Sequence, residues 1–222
     1  MNRAQAEAEI KNIFSGYRAA QPGDAALLQC LSDGKLYELF VLSHVVEDLA
    51  NRGFTLRFIG TSLKFKGSPG MIKPSDPHFE VGAPSMSGNP ALWLYVDIEF
   101  DTLGHHLGSV TDNSRRHEID IVVITSGSSY PSHHEIALGV ECKAVANFGK
   151  DLLKEALGVR RELGVLQMTA SDSLLTLHGG TPAVTVSMNP PSEYWLAHTD
   201  PRGGNYAQSP AQFGVTLKHL EP

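Results

Sequence analysis

EIDIVVIT at residues 118–125, the seven residues SGSSYPS at 126–132, and IALGVECKAV at 136–145 decide how this chain is read. Ile119, Ile121, Val122, Val123 and Ile124 make the first segment apolar and β-branched, and Ile136 to Val145 is similar, so both read as strands. Gly, Ser and Pro between them are turn residues. The simplest arrangement is an antiparallel hairpin. Centred between Tyr130 and Pro131, it sets Asp120 across from Glu141, with Cβ atoms roughly 5 Å apart. Glu141 and Lys143 then share one sheet face while Cys142 points to the other. Facing carboxylates destabilise a sheet and call for a counter-charge. Hard oxygen ligands of this kind suit Mg²⁺.

An apolar strand carrying Asp120, a turn, then a strand ending in Glu141-Cys142-Lys143 and followed by a helix resembles the PD-(D/E)xK nuclease superfamily. Ile119 stands where that pattern has proline. The resemblance implies an α/β fold with a restriction-endonuclease-like core, a central mixed β-sheet flanked by helices in the order α-β-β-β-α-β. It also implies a Mg²⁺- or Mn²⁺-dependent endonuclease acting on DNA, in restriction or phage defence by the family's usual biology. Asp120 and Glu141 would hold the metal, with the backbone carbonyl of Cys142 as a further ligand. Lys143 would stabilise the anionic transition state. Many members carry an acidic residue on the helix before the sheet, a place filled here by Glu38. A catalytically silent nucleic-acid-binding or assembly subunit with the same fold is the rival reading.

The 222 residues suit one domain: a covering helix within residues 1–30, a core over 34–189 and a tail over 190–222. Net charge of −6 argues against a strong non-specific nucleic-acid binder, although carboxylates gathered for a cation account for part of the imbalance. Basic residues cluster as Lys64, Lys66 and Lys73; Arg115 and Arg116; and Lys150, Lys154, Arg160 and Arg161. Arg115, Arg116, Lys150 and Lys154 are the expected DNA contacts, with solvated helix surface as the plain alternative. Cys30 and Cys142 sit in apolar surroundings and match no disulfide or metal framework. MNRAQAEAEIK has no signal-peptide core and no run is long enough to span a bilayer, so a cytoplasmic protein without membrane contact is expected. A homodimer or partner subunit is compatible with this reading, but no motif carries it.

Along the chain, residues 4–18 read as a helix. Asp33 is the expected N-cap of a second helix over 34–52, ended by Gly53. That helix is apolar nearly all round, and Glu38 falls in line with Leu42, Val45 and Leu49. It either lies at the surface of the first turn or reaches a cation. Residues 54–59 and 63–65 read as short strands and 67–90 as a long loop, in which Asp76, His78 and Glu80 alternate. Residues 91–100 form a strand with Leu92, Leu94, Val96, Ile98 and Phe100 on one face. Trp93, Tyr95, Asp97, Glu99 and Asp101 fall on the other, read as solvent-facing, with Glu99 in reserve as a ligand. His105, His106, His117, His133 and His134 match no zinc spacing, and only His117 lies close to the expected site. Asn147 is read as the cap of a helix over 148–163, its buried stripe made by Leu152, Ala156, Val159 and Leu163, and 181–188 as the strand after it.

Overall fold

The computed structural model of the chain describes residues 2–16, 25–66, 68–84, 92–125, 127–167, 172–179 and 187–222. Its centre is a seven-stranded mixed sheet in the order β1-β2-β3-β4-β5-β8-β9. The strands are β1 (Thr55–Ile59), β2 (His78–Gly82), β3 (Leu92–Asp101), β4 (Arg116–Ile124), β5 (Ile136–Lys143), β8 (Glu193–His198) and β9 (Val215–His219). A small separate pair joins β6 (Val165–Leu166) to β7 (Met188–Asn189). β1 to β5 form an antiparallel meander. After a helical crossover, β8 and β9 add in parallel beside β5.

The hairpin register follows the expectation. Ile121 pairs with Val140, Val122 with Gly139 and Val123 with Leu138, before a bulge shifts Ile124 onto Ile136. β5 is buried on both faces and continuous with β8, as an apolar strand inside a mixed sheet should be.

Helices cover both faces. α1 (Arg3–Gly16) and α3 (Asp33–Asn51), with the short α2 (Ala25–Cys30) between them, lie on one side. There Ile10, Phe14, Leu36, Phe40, Val45 and Leu49 pack on Leu94, Val96, Ile121 and Val140. Each such side chain contributes roughly 1.5–3 kcal/mol when fully buried. α5 (Lys150–Leu163) covers the other face, where Ala156 and Leu163 join Phe100, Ile119, Tyr194 and Leu196. The short α4 (Leu103–Gly108) links β3 to β4.

Several expectations are corrected. Ser32, not Asp33, caps α3, its Oγ accepting the Lys35 N–H. Gly53 does follow the helix, with φ of 91°. Residues 63–65 form no strand, whereas β2 arises within the expected loop because it pairs with both β1 and β3. Gly149 precedes α5, and Asp200 rather than Asn147 holds the local backbone by accepting the Phe148 N–H at 2.6 Å. Arg160 is buried, bonded to Ser192 and the Phe213 carbonyl, not part of a solvated face. Cys30 is exposed. Of the expected strand at 181–188, residues 181–186 lie outside the described residues, and β7 starts at Met188. The segment expected as a loop-rich tail instead supplies β8 and β9, and every residue of β8 is buried.

Candidate metal and active site

Three carboxylates stand in register across β3, β4 and β5. Val96 pairs with Ile121 and Ile98 with Ile119, which sets Asp97 beside Asp120. Ile121 pairs with Val140, which sets Asp120 beside Glu141. The ladders open at this row. Asp97 has φ of 53°, in the left-handed region that Asp tolerates better than most side chains. The alternation breaks there: Leu92, Leu94 and Val96 face α3, but Ile98 and Phe100 face α5. Asp97 is therefore not on a solvent-facing side, being only 1% exposed.

Each carboxylate of the row has its own partners. Asp97 accepts the Lys66 backbone N–H at 2.8 Å and the Lys35 ammonium at 2.8 Å. Lys35 also reaches Glu38, three residues along α3, at 2.7 Å. Asp120 accepts the Cys142 N–H through Oδ2 at 2.7 Å. Glu141 lies 3.5 Å from the Lys143 ammonium, which is held more tightly by Glu155 of α5 at 2.7 Å.

Asp120 belongs to two neighbourhoods. One carboxylate oxygen from each of Glu38, Asp97 and Asp120 falls within 4.8 Å of the others. Toward α5, Asp120 lines a cleft of about 700 Å³ together with Glu141, Lys143, Glu155, Arg116 and His117. The tight trio thus contains Asp120 and Glu38, as expected, but its third member is Asp97 and not Glu141. Glu38 does reach a cation, and that cation is the ammonium of Lys35.

Burial and mutual repulsion favour protonation here. Burial, then the charges of Asp120 and Asp97, push Glu38 up to about 7, even against the hydrogen bond from Lys35. Burial and the Asp120 charge push Glu141 up to about 8. Asp120 is also raised, chiefly by burial, with the Cys142 N–H pulling the other way. Burial opposes the charge on Lys143, but Glu155 and Glu141 outweigh it and hold the proton more firmly. Lys35 is raised by the same contest, with Asp97 and Glu38 as partners. Burial pushes the Cys142 thiol up, so the cysteine is an inert packing residue here.

The expected DNA contacts divide. Arg116 and Lys154 line the cleft. Arg116 is pinned by Asp101 at 2.7 Å and lies over the Tyr130 ring at 3.3 Å, while Lys154 approaches Asp151 at 3.5 Å. Lys150 lines a neighbouring pocket with Tyr206, also touched by Lys154. Arg115 gives its carbonyl to Thr102. Glu99, the reserve ligand, lines the cleft without joining the trio. Asp76 pairs with Lys66, His78 stacks on Tyr95 and Glu80 pairs with Arg57, so that alternation serves strand β2 and its neighbours.

Lys35 and Glu155 escaped the sequence reading, and Asp97 was read as solvent-facing. The i,i+3 spacing of Lys35 and Glu38 was a usable signal. No periodicity reports a single left-handed residue such as Asp97, and Glu155 looks like any helix-surface glutamate.

Comparison with family models, curated proteins and solved structures finds no match. No helix among the described residues is long and apolar enough to cross a membrane.

Proposed function

We propose that the chain is a divalent-metal-dependent nuclease that hydrolyses phosphodiester bonds of DNA on a restriction-endonuclease-like core. One observation carries the reading. Asp120 of β4 and Glu141-Cys142-Lys143 of β5 stand abreast where their strands part, with Glu38 of the preceding helix on the far flank of Asp120. α3, β3, β4, β5, α5 and β8 succeed one another in the α-β-β-β-α-β order, with β1, β2, α4, β6 and β7 among the elements inserted between them.

The donor set fits a hard cation. Glu38, Asp97 and Asp120 offer only carboxylate oxygens, partly desolvated and close together, the ligand type preferred by Mg²⁺ and Mn²⁺. These three residues would hold the ion, with Glu141 on the cleft side, and a bound ion would supply a more acidic water and charge neutralisation at the phosphate. Lys143 keeps its proton, so it acts as an ammonium donor to the phosphoryl oxygens and not as a base. Glu155 and Glu141 orient that ammonium toward the cleft. Arg116, held against Tyr130 and Asp101, and Lys154 offer contacts to flanking phosphates.

The test incubates the chain with plasmid, linear duplex, single-stranded DNA and RNA, each with Mg²⁺, Mn²⁺ or EDTA. Metal-dependent DNA cleavage that disappears in Asp120→Asn supports the proposal. Nucleic-acid binding without cleavage in any metal replaces it with the silent-subunit reading.

A further inference from the structure

We propose that His106, His133 and His134 form a second metal site, apart from the carboxylates, that takes a borderline transition-metal ion such as Zn²⁺ through three imidazole nitrogens. Nothing in their spacing predicts it. His106 comes from α4, His133 and His134 from the turn before β5, and folding gathers the three rings in tilted and edge-on contact. Ring centroids lie 5.1 Å apart for His106 and His133, 5.3 Å for His133 and His134, and 6.2 Å for His106 and His134. Imidazoles sharing one tetrahedral ion at Zn–N distances of about 2.0–2.1 Å have centroids roughly 5 Å apart, so the spacing is already close to that of a ligand set.

The nitrogens are also sorted. Ser132 Oγ sits 3.3 Å from Nδ1 of His133 and 2.9 Å from Nδ1 of His134. With Nδ1–H of each ring donating to this one oxygen, each Nε2 is left for a ligand, the arrangement by which an outer partner orients a metal-binding imidazole. Among the described residues the only trio with ligand atoms inside 4.8 Å is that of the carboxylates, so the three imidazoles must close further. His106 and His134 are exposed, and their rings can turn without disturbing the core. His133 is buried and supplies the fixed member. Burial and the two neighbouring imidazoles hold its pKa down to about 4, which leaves it a neutral ligand at ordinary pH.

Glu162 of α5 supplies negative charge next to His133, and its Oε2 accepts the Gly104 N–H at 2.9 Å. A bound ion would therefore tie α4 to the β4–β5 connection beside the wall of the cleft. The set is chemically distinct from the carboxylate trio: imidazole favours Zn²⁺, Ni²⁺ or Cu²⁺, whereas carboxylates favour Mg²⁺ or Mn²⁺. The inference does not depend on nuclease activity.

The experiment titrates the full chain with Zn²⁺ by calorimetry and with Co²⁺ by visible absorption, alongside Asp120→Asn, His106→Ala, His134→Ala and His133→Ala. The expected result is a Co²⁺ complex with tetrahedral visible bands that persist unchanged in Asp120→Asn. In either exposed-histidine variant the affinity should drop by more than about 100-fold, a loss exceeding that for an outer-shell change. Zn²⁺ should raise the Tm of the parent by more than that of those two variants. The inference is overturned if the parent binds neither ion, if both exposed-histidine variants bind as the parent does, or if Asp120→Asn abolishes the Zn²⁺ signal. His133→Ala is secondary because its side chain is also a packing residue.

Discussion

The Asp120 carboxylate accepts the backbone N–H of Cys142 at 2.7 Å, across two strands whose ladder ends one residue away at Ile121 and Val140. A side chain has taken over the place of a backbone acceptor. That substitution keeps Cys142 satisfied where the strands separate and aims Asp120 into the gap they leave.

Asp120→Asn tests whether that gap holds a cation. The amide oxygen still accepts the Cys142 N–H, so the fold should persist. The apo Tm should be no lower than that of the parent, because a carboxylate repelled by Asp97 and Glu141 is gone. Mn²⁺ affinity and DNA cleavage should both be lost. Calorimetric titration with a gel assay reads both, and full cleavage by the variant would remove Asp120 from the site.

Lys143→Ala should separate binding from chemistry. Removing a charged donor aimed at the transition state costs about 10²–10³-fold in rate. Mn²⁺ affinity should change little, since Lys143 pairs with Glu141 and Glu155 and stands outside the carboxylate trio. Single-turnover cleavage beside a metal titration would show the split.

Lys35→Met should expose what the ammonium does without a divalent ion. It leaves Glu38 and the buried Asp97 without their shared counter-charge. The loss should be about 1–3 kcal/mol, below the range for a fully buried pair because the Lys35 side chain keeps 29% exposure. Millimolar Mn²⁺ should restore much of it. Urea unfolding with Mn²⁺ or with EDTA measures both halves.

Stability should depend on pH with a definite sign. Glu38 and Glu141 rise from an ordinary 4.5 to about 7 and about 8. The folded state then holds more protons than the unfolded chain between these values, so stability is fully present below pH 4.5 for this pair and declines as pH climbs through 7 and 8. A Tm series from pH 5 to 9 in EDTA should slope downward from pH 5 to about 8 and level off above it. Glu141→Gln should flatten it, and Mn²⁺ should offset it increasingly as the carboxylates lose protons.

At Asp97 the backbone and the side chain make separate demands. Asp97→Ala places a β-carbon residue without a compensating polar group at φ of 53° and orphans the Lys66 N–H. Together these cost about 2–4 kcal/mol. Asp97→Asn keeps the acceptor and tolerates the conformation, so it should lose less. Thermal unfolding of the two variants gives the ranking, and equal losses would argue against strain as a contributor.

Legibility divided along physical lines. The hairpin was readable because β-branched runs and a seven-residue turn constrain register to one centre, and Ile121 opposite Val140 matches it. α3 was readable from its apolar girth. β8 was not: EYWLAH is a short run in a segment rich in Pro and Gly, and it becomes a strand because β5 offers it an open edge and the core covers both faces. Asp97 was misplaced because alternation was carried through a residue where the backbone reverses it.

The amino-acid sequence by itself determined the local elements at the centre and the pairing of Asp120 with the Glu141-Cys142-Lys143 strand, since side-chain period and turn composition act over a few residues. Only the tertiary structure decided that Lys35 and Glu38 meet Asp97 and that His106 meets His133 and His134. Those meetings join residues tens of positions apart. They depend on how α3 and α4 pack against the sheet and its connections, and no local periodicity encodes that packing.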